Sequence, residues 1–459
     1  MASTRVLQGV GGLVKHRGSK VVVDYVVKGG GFAGLNAVAG LARALPEANV
    51  LCASVLPPGG SWNLYYPHVK LHAAHPHFGV ASHPWPIDDP HVLASREQVL
   101  QHFNSYVDTI PPNFDFAQNT AVVAVNSTRE ADGNNLFDVM LRDTLSGEEM
   151  NVVARHVIDA TGANYDHHTR REEDFLFQSS DIPETETVDL HAVMASANPG
   201  RDRLYVVIGG GKTGLDNTAF IAQNRRATDD ILLVTGRNKA YFRRDKIQPR
   251  KDAMSPFNPF QFAVADLMLD MVLNFDGNNG LDVVRAQQAA GMLHTVNGVP
   301  AQAFMLGALD NEERRIVEES TEVVVDDYFV GTQETEKKLN KAEEVEAGGG
   351  RASSSTTTTV LFQHREPLET DKEVVLVNCR TSASPESHYV DATHPVRPDG
   401  TLKFGASLGY VCAVFVLRYG AGTNFPPWQA SCVGTRAHMV PPPFCVRTLH
   451  QTEVALAVR

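Results

Sequence analysis

Residues 21-VVVDYVVK-28 are a run dominated by β-branched side chains that ends at a glycine turn, 29-GGGFAG-34. A short run apolar on both faces suits a buried parallel strand, because helices cover such a sheet from either side. The following 34-GLNAVAGLARAL-45 spaces small and apolar residues as a helix does and stops before Pro46. Then 49-NVLCASVL-56 predicts a second strand, completing the strand, turn, helix, strand order of a mononucleotide-binding unit.

Further along, 94-ASREQVLQHFNSYVDTI-110 has a helical pattern. Three runs, 121-AVVAVNSTRE-130, 136-LFDVMLRD-143 and 152-VVARHVIDATG-162, predict strands of a small antiparallel layer that returns to the sheet. A second unit starts at 203-RLYVVIGGGKTGLDNTAFIAQ-223 and continues into the strand 231-ILLVTGR-237. Residues 254-MSPFNPFQFAVADLMLDMVLNF-275 read as an apolar helical surface, either core or the wall of a pocket. The low-complexity 346-EAGGGRASSSTTTT-359 predicts a surface loop, and 373-EVVLVNC-379 a strand rejoining the first sheet. The uncharged 404-FGASLGYVCAVFVL-417 has 14 residues, short of the roughly 18 to 20 that cross a bilayer, and reads as a buried helix.

Composition adds exclusions. With 459 residues, 43% hydrophobic and 20% charged, the chain has the length for two or three domains. A formal charge of −12 leaves no basic field for phosphates, so nucleic acid is not an expected partner. Cys52, Cys379, Cys412, Cys432 and Cys445 form no CxxC pair, which argues against a zinc framework or redox dithiol and for a reducing, cytoplasmic setting. The first 23 residues carry Arg5, Lys15, Arg17 and Lys20 without an acid, as an organelle presequence does, but 9-GVGG-12 is expected to spoil the amphipathic helix.

The candidate chemistry begins with the two glycine motifs. In Gly29, Gly31 and Gly34, and again in Gly209, Gly211 and Gly214, the first glycine permits a tight turn. The second lets backbone approach a pyrophosphate, and the third lets helix pack on strand. A pyrophosphate there meets helix N–H groups and the positive end of the dipole. Arg237, at the end of the strand after the second motif, stands where an adenosine 2′-phosphate lies in such a unit, with Arg243 and Arg244 able to assist; solvated arginines are the plain alternative. Between the units, 57-PPGGSWNLYYPHVKLHAAHPHFGV-80 concentrates aromatic, His and Lys residues. Its His68, His72, His75 and His77 come with prolines and no paired carboxylates, so no metal site is expected. No GxSxG or comparable Ser/His/Asp arrangement occurs.

Two GxGxxG units, with 59-GGSW-62 about 25 residues after the first and 160-ATG-162 before the second, resemble the two-dinucleotide flavoproteins that include flavin-containing and Baeyer–Villiger monooxygenases. The segments 59-GGSWNLYYPHVKLHAAHPHFGVAS-82, 210-GGKTGLDNTAFIA-222 and 235-TGRNKAYFRRDKIQP-249 are similar to a subgroup of NAD(P)/FAD-dependent oxidoreductases with the patterns GGHWN, YPFVRLH and GAGKTGMD. The resemblance covers most of residues 21 to 420. It implies an α/β fold of two Rossmann-like dinucleotide-binding domains in three layers (ββα/βαβ), the second inserted in the first. These would be an FAD-binding part at 21–185, an NADPH-binding domain at 186–335, a flexible loop at 336–360 and a return to the FAD-binding domain at 361–459.

The resemblance further implies FAD held by Gly29, Gly31, Phe32, Ala33, Gly34, Gly60, Ser61, Trp62, Thr161 and Gly162, and NADPH held by Gly209, Gly211, Lys212, Thr213, Gly214 and Arg237. The chemistry it implies is oxygen transfer from O2 to a small organic substrate through a peroxyflavin, with His72 and Lys70 in polar contact with the reacting ring. An NADPH:acceptor oxidoreductase of quinone type, or a degenerate nucleotide-binding protein, are the alternatives.

The chain departs from the pattern in four places. Ala53 replaces the acid that binds the adenosine ribose, Lys28 precedes the first turn, and Asn378 replaces a late aspartate. His191 stands where a monooxygenase fingerprint has its histidine, in a segment, 187-TVDLHAV-193, that lacks the accompanying Phe and Gly. Substrate identity and oligomeric state are not legible.

Overall fold

A computed structural model describes residues 6–18, 21–80, 83–89, 91–129, 135–161, 182–196, 200–248, 267, 270–271, 273–276, 278–324, 326–337, 355–380 and 402–403. These fall into two compact units, the first within 1–65, 75–165 and 383–459, the second within 66–74 and 166–382.

In the first unit, β1 (Val6–Gln8) and α1 (Gly9–Arg17) precede β2 (Val21–Lys28), α2 (Phe32–Ala44) and β3 (Val50–Ala53). After α3 (Arg96–Val107) come β4 (Phe114–Gln118), β5 (Thr120–Arg129), β6 (Asn135–Asp143) and β7 (Glu149–Asp159). The sheet order is β1-β4-β3-β2-β7-β6-β5. It is parallel from β1 to β7 and antiparallel beyond, so the three runs expected to form an antiparallel layer do so and hand the chain back to β2 through β7. Val23, Val26, Leu51, Leu141, Val152 and Val157 pack in one core.

The glycines of 9-GVGG-12 do not prevent a helix. α1 exists because Val10 and Leu13 are buried in that core, and because the Asp143 carboxylate accepts the Val10 N–H at 3.1 Å. Gly9 has φ +62°, and a Cβ there would fall 1.6 Å from that carboxylate, so the glycine makes room for the cap. At the other end, Arg17 pairs with Asp115, and Lys15, His16 and Arg17 occupy the last turn, where the dipole favours cations. Residues 6–17 are thus part of the folded unit.

The second unit contains β8 (Glu184–Glu186), α4 (Leu190–Ala195), β9 (Arg203–Ile208), α5 (Lys212–Asn224), β10 (Asp230–Val234), β11 (Lys239–Arg243) and α6 (Arg244–Ile247). There follow α7 (Gly280–Ala289), β12 (Leu293–His294), β13 (Ala303–Leu309), α8 (Asn311–Ser320), β14 (Glu322–Val324), β15 (Phe329–Lys337), β16 (Ser355–Phe362), β17 (Leu368–Thr370) and β18 (Glu373–Asn378). Its main sheet, β14-β10-β9-β18-β8, is parallel throughout. β9 is buried along its whole length. Tyr205 and Val207 face the helices, with Leu215 and Ile221 of α5, whereas Leu204, Val206 and Ile208 face Phe329 and Val360 of the β15-β16-β17 layer.

Two expectations need correction. Residues 373–378 do not rejoin the first sheet: β18 pairs with β9 and β8 in the second, from Glu373↔Arg203 to Asn378↔Ile208. An apolar run satisfies either sheet equally, and only the pairing decides. Residues 355–360 of the loop expected at 336–360 belong to β16, held antiparallel between β15 and β17, and 336–337 end β15; 338–354 lie outside the described residues, as do 404–417 and most of 254–275. In the first unit, β19 (Leu402–Lys403) pairs with β7 at Ile158 and Asp159, beyond the end of β6.

Leu13→Ala should destabilise the first unit by ~2–5 kcal/mol, as for a fully buried leucine. Chemical denaturation of the full chain measures it, and an unchanged transition would show that α1 is not integral to the core.

Candidate functional site

The first glycine turn lies where β2 ends. Gly29 has φ +106°, a conformation L side chains avoid, and its N–H donates to the Ala53 carbonyl at 2.8 Å. A Cβ on Gly34 would lie 1.7 Å from the Gly29 oxygen, so helix and strand approach as closely as backbone allows. Gly31 is the N-cap of α2 and has no side-chain cap, and the first turn of α2, which begins Phe32, Ala33, Gly34, carries no acid. The GGSW segment lies on this turn. Gly59 N–H donates to the Gly30 carbonyl at 3.0 Å, and Gly60, at φ +55°, brings its backbone so near that a Cβ would be 2.9 Å from the Gly31 Cα.

Ser61 and Trp62 sit in the 3-10 turn Gly60–Leu64. Arg96 of α3 holds that turn by donating to the Trp62 and Asn63 carbonyls at 3.0 and 2.7 Å. Thr161 donates from N–H and hydroxyl to Asp159, at 3.2 and 2.6 Å. Gly162 lies outside the described residues. Ala53 ends β3 fully buried, and the neighbouring Ser54 hydroxyl donates to the Leu56 carbonyl at 2.7 Å, so no carboxylate or turned-out hydroxyl from either residue faces the turn.

The second turn repeats this geometry. Gly209 has φ +125° and donates to the Val234 carbonyl at 2.9 Å, and a Cβ on Gly214 would lie 1.8 Å from the Gly209 oxygen. Gly211 is the uncapped N-cap of α5, and a Cβ there would meet nothing within 4 Å. The equivalence extends to the neighbouring strand. Ala160 closes over Gly29 as Cys379 closes over Gly209, and Asp159 accepts from Thr161 as Asn378 accepts from Arg380. Asn378 therefore occupies the position of Asp159, and the Arg380 side chain, paired with Glu184, supplies the charge there.

Lys212 and Thr213 open α5. Lys212 pairs with Asp216 one turn on and, at 3.4 Å, with Glu313 of α8. Glu313 also receives Arg244 at 2.7 Å, and Arg244 reaches Asp310 at 2.5 Å and the His72 carbonyl at 3.1 Å. Tyr66 donates to Asp216 at 3.1 Å, and the His72 Nδ1 accepts the Ala308 N–H at 3.1 Å. Burial raises the Asp216 pKa against the pull of Lys212. For Glu313 burial is likewise the largest influence, but Lys212 and Arg244 together hold it below the usual range. Burial, with Lys212 and Arg244 nearby, pushes His72 down to about 4, so it is neutral at pH 7 and carries its proton on Nε2.

The three similar segments noted in the sequence thus meet in one cluster: Tyr66 and His72 from the first, Lys212 and Asp216 from the second, Arg244 from the third. Arg244 is not available for a 2′-phosphate, because it is buried between Asp310 and Glu313, and Arg243 pairs with Asp245. Glu313, missed in the sequence, is the N3 residue of the Asp310–Glu313 capping box that opens α8, a signal for a helix start and not for this cluster. Lys70 is exposed, and His68 bonds His191 at 3.1 Å while stacking on Phe220 of α5. Arg237 is exposed just beyond β10. Near it the half-buried Lys239, missed in the sequence, is pushed down to about 8 by burial and by Arg237, and no carboxylate partners it among the described residues. The described residues hold no group of three metal-ligating side chains and no helix long and apolar enough to cross a membrane.

No curated protein matches the chain. Among solved structures, the FAD-bound cadaverine monooxygenase of the desferrioxamine pathway from Erwinia amylovora is 10% identical with a TM-score of 0.52, over 87% of this chain and 94% of that one. An ornithine N-hydroxylase from Kutzneria sp. 744 (13% identity, TM-score 0.47, 78% and 80% covered) and a flavin monooxygenase from Stenotrophomonas maltophilia (17%, 0.41, 90% and 99%) are also similar. At such identities the first of these speaks for the fold alone. Residues 23–250, which span both glycine turns, match the family described as pyridine nucleotide-disulphide oxidoreductase. Over that span, just under half of its length, the chain is similar to that family, and it is an FAD/NAD(P)H-dependent oxidoreductase.

Proposed function

We propose that the protein is an FAD- and NADPH-dependent monooxygenase, with FAD on the glycine turn of the first unit, NADPH on that of the second, and one oxygen atom of O2 passing to a small organic substrate. In this reading the units are two Rossmann-like domains, the second inserted in the first. The observation that carries it is the pair of equivalent turns. Each presents a backbone cradle without Cβ atoms, at Gly31 with Gly60 and at Gly211, in front of an uncapped helix N-terminus, which is the fit a pyrophosphate requires.

Bound FAD would supply hydride acceptance and oxygen activation. The chain's own contribution is to hold and orient. Gly29 to Gly34, Gly60 to Trp62 and Thr161 are proposed to hold FAD at the first cradle, with Gly162 as the sequence resemblance implies, and Gly209 to Gly214 to hold NADPH at the second. Arg237 and Lys239 offer adjacent cations without carboxylate partners among the described residues, which favours a 2′-phosphate. His72, neutral with its proton on Nε2, is the proposed hydrogen-bond donor to the reacting ring, and Lys70 the proposed second polar contact. Disulphide reduction is disfavoured, since Cys52 and Cys379 are buried, far apart in sequence and raised by burial, Cys52 to about 12.

The purified protein should be yellow, bleach with NADPH under nitrogen, and recover in air with label from oxygen-18 gas in the product. A colourless protein that takes up no added FAD would sink the proposal, and recovery without label would make it an oxidase or acceptor reductase.

Removing both cations with Arg237→Ala and Lys239→Met should raise KM for NADPH at least about tenfold while leaving NADH little changed, in line with ~1.5–3 kcal/mol for charged hydrogen bonds. Equal effects on both nucleotides would place the 2′-phosphate elsewhere.

Ala53→Asp should restore a ribose contact and tighten FAD about tenfold, again on the scale of one charged hydrogen bond. Equilibrium titration of apoprotein measures it, and unchanged affinity would mean that the end of β3 does not meet the ribose.

A further inference from the structure

The first unit has a cavity of about 440 Å³ that no part of the proposed reaction uses. It lies where α2 ends and β3 begins, whereas the glycine turn lies where α2 begins, so the length of the 13-residue helix, ~20 Å, separates the two. One wall is the 44–48 connection, with the aliphatic surface of Ala44, Leu45, Pro46 and Ala48. Tyr25 and His156, on neighbouring strands, form the other, with rings stacked at 4.8 Å. Tyr25 is 5% exposed and lines the cavity, yet its hydroxyl has no hydrogen-bond partner among the described residues, and neither does the His156 imidazole. Neither is among the polar atoms sealed from solvent, so both present hydrogen-bonding capacity to the cavity.

The cavity also carries charge of both signs. Arg155 lies 3.5 Å from Asp24 through Nε, a long contact that is not a hydrogen bond, and its guanidinium is well exposed, so its fork has donors to give. The Asp24 carboxylate accepts the Asn49 N–H through one oxygen, and Glu47 adds a second carboxylate. Burial and then Asp24 raise the Tyr25 phenol, and burial is the main influence lowering His156, so both rings are neutral at pH 7 and offer hydrogen bonds rather than charge.

We propose that this cavity binds a free aliphatic α-amino acid, with its carboxylate on the Arg155 fork, its ammonium between Asp24 and Glu47, and its side chain on the aliphatic 44–48 wall. The Tyr25 hydroxyl and His156 imidazole complete the polar end. Recognition of both charges at once distinguishes this ligand from a simple anion or amine, each of which engages only one of the two signs the cavity offers.

The experiment is calorimetric titration of the full chain with L-leucine, with 4-methylpentanoate, which lacks the ammonium, and with isopentylamine, which lacks the carboxylate. Saturable binding of leucine is expected, at least tenfold weaker for each truncated analogue. Arg155→Gln and Asp24→Asn should each weaken leucine by about tenfold or more, and Tyr25→Phe by a few-fold, with thermal unfolding close to that of the unmodified chain. Absence of saturable binding at ten millimolar leucine, equal binding of an analogue, or leucine affinity indifferent to Arg155→Gln in a folded variant would overturn the proposal.

Discussion

The contact between the third glycine of each motif and the carbonyl of the first is the constraint on which both units depend. With under 2 Å between a hypothetical Cβ and that oxygen, no side chain can stand at Gly34 or Gly214 without moving helix from strand. That approach brings the uncapped N-termini of α2 and α5 to the ends of β2 and β9 and leaves the second glycine facing open space or backbone only. The strands beside each turn follow from it. Ala160 and Cys379 must pass so near Gly29 and Gly209 that their carbonyls lie within 3 Å of where a Cβ would stand.

From this common frame the two turns diverge in charge. Around the first, Ala53, Cys52 and the inward-turned Ser54 present no ion, and the Gly59–Gly60 backbone closes over the turn. Around the second, Lys212, Asp216, Glu313, Arg244 and Asp310 form a partly buried set in which each cation has two carboxylates. Removing one partner from such a set costs ~3–5 kcal/mol, because a charge is stranded away from water. Arg244 is thereby committed to structure, whereas Lys239 has no carboxylate partner among the described residues and is lowered by burial and by Arg237.

What could be read from the sequence was local. The strand runs at 21–28 and 203–208, the glycine spacing and the helices that follow are short-range patterns, and the structure reproduces them. What could not be read was settled by distant partners. α1 forms over three glycines at its N-terminus because Asp143, more than a hundred residues on, accepts the Val10 N–H, and β18 belongs to the second sheet because β9 and β8 pair with it. Arg244 looked like a ligand arginine because Glu313 and Asp310, which consume its charge, lie some seventy residues away in a capping box that signals a helix start and nothing more. The segments 59–82, 210–222 and 235–249 carried a pattern whose physical content includes one ion cluster, which became visible only when folded.

His72 shows how that cluster fixes a protonation state. Burial and two neighbouring cations make the imidazolium unfavourable, so the ring stays neutral and its Nδ1 can accept the Ala308 N–H. Protonation would turn that acceptor into a donor facing another donor. In the unfolded chain the same ring takes up a proton near its ordinary pKa of ~6.5. The folded value is depressed, so the stabilisation from His72 is complete above that pH and is lost as pH falls toward about 4. His68, lowered to about 4 by burial and then by His191, adds a loss of the same sign over the same window. Segment 66–74 is therefore anchored in its unit by two imidazoles that hold it only while uncharged, and acid loosens it as they take up protons.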